Sequence, residues 1–199
     1  MKKTKEKKPV SILASKYVVV NVPIRGVTPL IVHAVSAAAL EKIRIKQVKE
    51  GTKVRGIRDF DAEYESCFHY VPGTKKYGFP GVGFKKGAVE VATFFPNITK
   101  KSVLSGMQVL NDMAELKYKE IIRRQDGVYL NGRGGRVLDI RVRPMFTEWS
   151  TTLIVKYDEA ILSLEQIFKL IDKAGFAMGV GDWRPQKSGN FGMYEVVKK

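Results

Sequence analysis

Hydrophobic and polar positions alternate most cleanly in three stretches. From Tyr17 to Ile24, Val18, Val20, Val22 and Ile24 share one face, and Tyr17, Val19 and Asn21 share the other, which predicts a strand. Over residues 137–143, Leu138, Ile140 and Val142 oppose Asp139, Arg141 and Arg143, and Pro144 is expected to end that strand. Residues 149–157 alternate again, and the short connection predicts antiparallel pairing of these two strands. Helical spacing is clearest at Leu164, Ile167, Phe168 and Ile171, behind a capping box formed by Ser163 and Gln166, with Gly175 as the expected stop. Ser36 is placed to cap a helix over residues 37–49, with Leu40 and Ile43 inward. Phe191, Met193, Tyr194 and Val196 read as a last strand.

The middle of the chain is less regular. Phe60, Tyr64 and Phe68 recur every four residues and predict a helix over residues 59–69. Prolines and glycines over residues 71–83 predict turns. Two further helices are expected, over residues 84–95 and from Thr99 through Met113, then two short strands around Asp126-Gly127 and a basic loop over residues 131–136. Taken in order, the well-patterned elements read strand, helix, strand, strand, helix, strand. This predicts an α+β, ferredoxin-like (RRM-like) βαββαβ core, with an antiparallel sheet and a large insertion after the first helix. The predicted division is a basic arm at residues 1–9, disordered alone, and a single domain over 10–199. Its core would be 16–49 and 137–199, and its inserted subdomain about 50–136.

Charge changes this picture from a fold to a partner. The net charge is +15, and residues 1–8, with five Lys and one Glu, supply only +4 of it, leaving +11 on the folded part. A domain this basic is expected to meet a polyanion, nucleic acid before a membrane surface. An acidic protein partner is the alternative. One cysteine, Cys67, and two histidines, His33 and His69, give no zinc spacing, so no metal or other cofactor is expected. No apolar run reaches the length of a membrane span and no signal peptide is evident, which predicts a cytoplasmic protein with no membrane partner.

The richest stretch for chemistry is residues 179–196. Gly179, Gly181, Gly189 and Gly192 punctuate it, and Trp183, Arg184 and Lys187 lie between them. Glycines allow a ligand close to the backbone, Arg and Lys offer charge to phosphate, and Trp offers a stacking face. The alternative is a helix-to-strand connection that needs glycine only for its bends. The order Gly-Val-Gly, polar residues, then Gly-x-x-Gly before a strand resembles the C-terminal glycine-rich loop of the RAMP superfamily. These are ferredoxin-like proteins of CRISPR effector backbones and guide-RNA processing. Residues 27–32, Val-Thr-Pro-Leu-Ile-Val, are similar to the segment after the first strand of its backbone subunits. Thr28-Pro-Leu-Ile-Val-His33 together with Gly179-Val-Gly-Asp-Trp-Arg-Pro185 also resembles small phage and prophage proteins. The match covers the two ends of the fold and not the insertion, and no second RAMP domain is evident.

The resemblance implies binding of single-stranded nucleic acid, DNA or RNA, without sequence preference. It implies a homo-oligomer along the strand or a place among other subunits of a nucleoprotein complex, in the cytoplasm of a bacterial host. The expected phosphate contacts are Arg184 and Lys187 with Trp183 as a stacking platform, Arg133 and Arg136 in the basic loop, Arg141 and Arg143 on their strand, Lys85 and Lys86 at a helix N-terminus, and Arg55 and Arg58. An enzyme is not expected, since no P-loop or nucleophile elbow is present. The runner-up is a metal-independent endoribonuclease of the guide-RNA-processing type using His33. Asp59, Asp61, Glu63 and Glu65 make an acidic cluster whose ordinary reading is a solvated face.

Overall fold

In a computed structural model, residues 14–35, 58–132 and 135–197 are described below. The basic arm, the predicted helix over residues 37–49, Arg55 and Arg133 lie outside these residues. β1 (Tyr17–Gly26) follows its alternation, with Val22 and Ile24 buried. The two-residue β2 (Leu30–Ile31) comes next. The Asp59 carboxylate accepts from the amides of Asp61 and Ala62 and starts α1 (Phe60–Glu65). β3 (Gly78–Pro80) runs straight into α2 (Gly81–Val91), a 3-10 turn (Ala92–Phe94) and α3 (Lys100–Gly106), which Thr99 caps. β4 (Met107–Val109) and β5 (Met113–Glu115) precede a long hairpin of β6 (Glu120–Gly132) and β7 (Gly135–Thr147). β8 (Ser150–Asp158), α4 (Leu164–Ala177), a second 3-10 turn (Pro185–Lys187) and β9 (Tyr194–Val196) complete the fold.

The main sheet has the order β4-β8-β1-β9 and is antiparallel throughout. With α2 and α4 as its crossovers, this is a ferredoxin-like βαββαβ core. The helices cover one face of the sheet. Phe84, Ala88 and Val91 of α2 and Ile167, Leu170, Ile171 and Ala174 of α4 join Val22, Ile24, Leu153 and Val155 in one buried cluster. The capping box at Ser163 and Gln166 forms as predicted. Ser163→Ala removes the acceptor of the Gln166 amide and is expected to cost about 1 kcal/mol in denaturant unfolding.

The assignment of elements to that core differs from the expectation. The first crossover helix is α2, and the second core strand is the short β4, both from the stretch expected to be an insertion. Residues 137–143 do not pair with β8. They belong to β7, which lies between β2 and β6 in a second sheet. The helix begun at Thr99 ends at Gly106, because Met107 is needed on the edge of the core sheet opposite Tyr157. Asp126-Gly127 is no turn, since β6 runs through it with Gly127 opposite Ile140. Pro144 does not end β7: it lies inside the strand, opposite Arg123, and its carbonyl accepts from the Val32 amide at 3.1 Å. Gly175 does not stop α4, which reaches Ala177. It is the point where the helix meets β9, and a Cβ there would stand 1.9 Å from the Tyr194 carbonyl oxygen.

Candidate functional site

The two segments that carried the sequence resemblance meet in space. The Asp182 amide donates to the Ile31 carbonyl at 2.9 Å, and the Gly192 amide to that of Pro29 at 2.8 Å. The Met193 amide donates to the Thr28 hydroxyl at 3.0 Å. The loop after α4 is therefore seated on residues 28–33. Glycine is required where this contact is closest. Gly181 has φ +78° and its Cβ would lie 2.3 Å from the Ile31 carbonyl oxygen. Gly192 has φ +66° and its Cβ would lie 1.8 Å from that of Val180. Most amides of the loop are already bonded, some to its own carbonyls, among them Val180 to Gly192, Lys187 to Arg184 and Phe191 to Trp183, and others to residues 28–31. The glycines thus build the loop, and anion contacts fall to side chains.

Those side chains line a cleft of about 740 Å³ between the loop and α2. Arg184 enters from the loop, and Lys85, Lys86 and Glu90 from α2; His33 and His69, the only two histidines of the chain, share it. Lys85 and Lys86 sit in the second turn of α2, which begins at Gly81, rather than at a helix N-terminus. Lys85 reaches Gln108, and Lys86 is exposed. Arg184 is held by the Gly181 carbonyl at 2.9 Å and by Gln186. The Glu90 carboxylate is engaged by Lys100 at 2.6 Å, so cationic groups dominate the cleft.

Asp182, which also lines the cleft, is the hub of this surface. Its Oδ2 is 3.3 Å from His33 Nδ1 and 3.2 Å from Arg143 Nε. Burial pushes the Asp182 carboxyl upward, but the His33 hydrogen bond and the Arg143 charge outweigh it and hold it below the ordinary carboxylate range. Burial, with a smaller contribution from His33, pushes His69 below the ordinary imidazole range. Burial likewise raises the Cys67 thiol, which donates toward the Glu63 carbonyl.

The other expected contacts divide sharply. Trp183 has φ +54° and is 41% exposed, so it is no core anchor; Lys187 is exposed, and neither lines the cleft. Arg143 is only 8% exposed and ties β7 to the glycine loop, so it is no part of a solvated sheet face. Arg141 pairs with Asp139 at 2.9 Å, and Arg58 is held by Glu63 and Asp139. Arg136 is exposed near the tip of the hairpin. The expected acidic cluster is absorbed by structure, with Asp59 capping α1, Asp61 on Arg123 at 2.6 Å and Glu63 on Arg58. His69 and Asp182 carried no expected role. His69 was findable as the second of only two histidines, whereas Asp182 gave no signal beyond its place among the glycines.

No family model and no curated protein matches the chain. Solved structures do. A chain in the cryo-electron-microscopy structure of the type III-B Cmr-beta bound to cognate target RNA superposes with a TM-score of 0.57 at 12% identity, over 92% of this chain and 60% of that one. Cmr6 from Pyrococcus furiosus, known from a crystal structure, matches over 92% of this chain and 99% of its own, with a TM-score of 0.49 at 11% identity. At these identities the likeness is one of fold, and this chain spans 60% of the length of the Cmr-beta chain.

Proposed function

We propose that this chain, whose fold is of the RAMP type, holds single-stranded nucleic acid without reading its sequence. The observation that carries the reading is the convergence of Lys85, Lys86 and Arg184 on one cleft beside the glycine loop. Point charges on flexible stems suit phosphates at variable spacing, and phosphate contacts carry no sequence preference. The Cmr-beta structure that shares the fold was solved with target RNA bound, which favours RNA as the first probe. On this reading the protein works as one subunit of a nucleoprotein assembly, repeated along the strand or beside other subunits. The resemblance of residues 28–33 and 179–185 to phage and prophage proteins supports reading it as phage- or prophage-encoded, acting in the cytoplasm of a bacterial host. Among the described residues no helix is long and apolar enough to cross a membrane.

Fluorescence anisotropy with labelled single-stranded RNA, single-stranded DNA and duplex DNA, read beside size-exclusion profiles, tests the reading. Tight binding to at least one single strand, weaker binding to the duplex, and growth of the complex with strand length are expected. Equal binding to the duplex would contradict it.

A second reading has one observation in its favour. His33 is oriented by Asp182 in the cleft that also holds His69, as a metal-independent endoribonuclease would need for acid–base work. If the first reading holds, His33→Ala changes strand affinity less than about twofold, and wild-type protein leaves labelled RNA intact in EDTA. Cleavage by wild type, lost in His33→Ala with affinity retained, would establish the nuclease instead.

A further inference from the structure

Two exposed phenylalanines lie on the helical side of the core. Phe176 of α4 is 71% exposed and Phe94, in the 3-10 turn after α2, is 55% exposed. Lys173 Nζ reaches both rings, at 5.6 Å from the Phe176 centroid and 5.8 Å from that of Phe94. Two aromatic rings in water joined by a lysine cost solvation and stabilise the core little. Their position gives them a use. Lys86, Glu90 and Phe94 follow one another at four-residue spacing along α2 and its terminal turn, and Lys86 and Glu90 line the cleft. Met178, two residues beyond Phe176 and capping the end of α4, lines it as well. The basic cleft therefore continues along the seam between the helices toward the two rings. Of the acidic side chains lining the cleft, Glu90 is engaged by Lys100, and Asp182 by Arg143 and His33.

We propose that Phe94 and Phe176 are a stacking platform for unpaired bases, with Lys173 positioned for the phosphate between them. This inference rests on the reading of the cleft as a single-strand site and adds the path of the strand. From Lys85, Lys86 and Arg184 the strand crosses the helical face of the fold, and the opposite, open face of the sheet is not used. That open face carries its own exposed ring, Tyr17, with Lys156 Nζ at 4.8 Å, and is the competing path. It lies across the sheet from the cleft-lining helix α2. A ring stacks on any base, so the platform adds affinity without sequence preference, as the cleft does.

The test uses the full chain and two labelled probes of equal length and charge: a single-stranded oligonucleotide with bases, and the same backbone made abasic. Phe94→Ala and Phe176→Ala are each expected to weaken the base-bearing strand about fivefold, the double variant about 20-fold, with the abasic strand unchanged. Phe176→Tyr keeps a ring and is expected to keep the wild-type preference for the base-bearing strand. Tyr17→Ala is expected to change neither probe. Wild-type binding with an unaltered double variant, or loss of base preference in Tyr17→Ala instead, would overturn the platform and leave the cleft reading standing. Equal loss on both probes would also overturn it, since stacking cannot act on a strand without bases. Failure of wild type to bind either probe would overturn the cleft reading and the platform together.

Discussion

Asp182→Ala is expected to destabilise the fold by about 2 to 3 kcal/mol. The figure follows from the asymmetry of a buried ion pair: removing one partner strands the other charge without water. Arg143 is nearly inaccessible, and among the described residues its Nε makes no hydrogen bond, only the ion pair with Asp182 at 3.2 Å. The full penalty for such a break is about 3 to 5 kcal/mol, and the partial exposure of Asp182 reduces it. Arg143→Leu is expected to cost less, because it leaves behind a carboxylate that water and His33 can still reach. The double variant should recover part of the loss, a coupling readable from denaturant unfolding of the four proteins. The same hub predicts a pH dependence. The folded-state pKa of Asp182 is depressed, so its contribution is present above the ordinary carboxylate value of 3.8 and disappears as pH falls through the folded value. Asp182→Asn should therefore lose stability near neutral pH and show a shallower acid limb than wild type. The Asp182 carboxylate, through Arg143 and His33, and its amide, through the Ile31 carbonyl, together hold the loop that delivers Arg184.

The triple variant Lys85→Ala, Lys86→Ala, Arg184→Ala is expected to lower single-strand affinity by about 100-fold or more at low salt. Each lost phosphate contact removes a counterion-release contribution of about 0.7 from the slope of log K against log salt, so the slope should flatten by about 2. The lysines should cost little stability, since Lys86 is exposed and Lys85 meets the exposed Gln108 side chain; what stability is lost should come from Arg184, which donates to the Gly181 carbonyl. The contrast lies in Arg58→Ala and Arg141→Ala. Glu63 and Asp139 already hold Arg58, and Asp139 holds Arg141. These two substitutions are expected to change affinity less than about threefold, which separates cleft cations from total charge.

Elements set by local rules were legible in the sequence. β1 and β8 could be found because their period-two alternation matches burial on the helix-covered face, and α4 because its capping box and apolar stripe agree. The fold class came out right although two of the six places in that order are filled by other segments, the first crossover helix by α2 and the second core strand by β4. What was not legible depends on contacts distant in sequence. β4 has three residues and continues directly from a helix, so only its pairing to β8 defines it. The alternation in β7 was real but its faces were misjudged. Leu138 on the apolar face is 60% exposed, whereas Arg143 on the polar face is buried, because the glycine loop packs there and brings its own carboxylate. Arginines read as free phosphate ligands were thus structural wherever an acidic residue from another element met them. The cleft was half legible: Arg184, Lys85, Lys86 and the glycines could be named, but not that α2 would bring the lysines to the loop.

Whether this cleft holds a single-stranded polyanion through its lysines and arginine is decided by a salt titration. Binding of the wild-type protein to one labelled single strand would be measured from low to moderate salt, beside the triple variant. Tight binding is expected, falling linearly in log K against log salt, with a triple variant that is weaker and has a slope smaller by about 2. Wild-type binding absent at low salt, or a triple variant with the wild-type slope, would contradict the cleft reading.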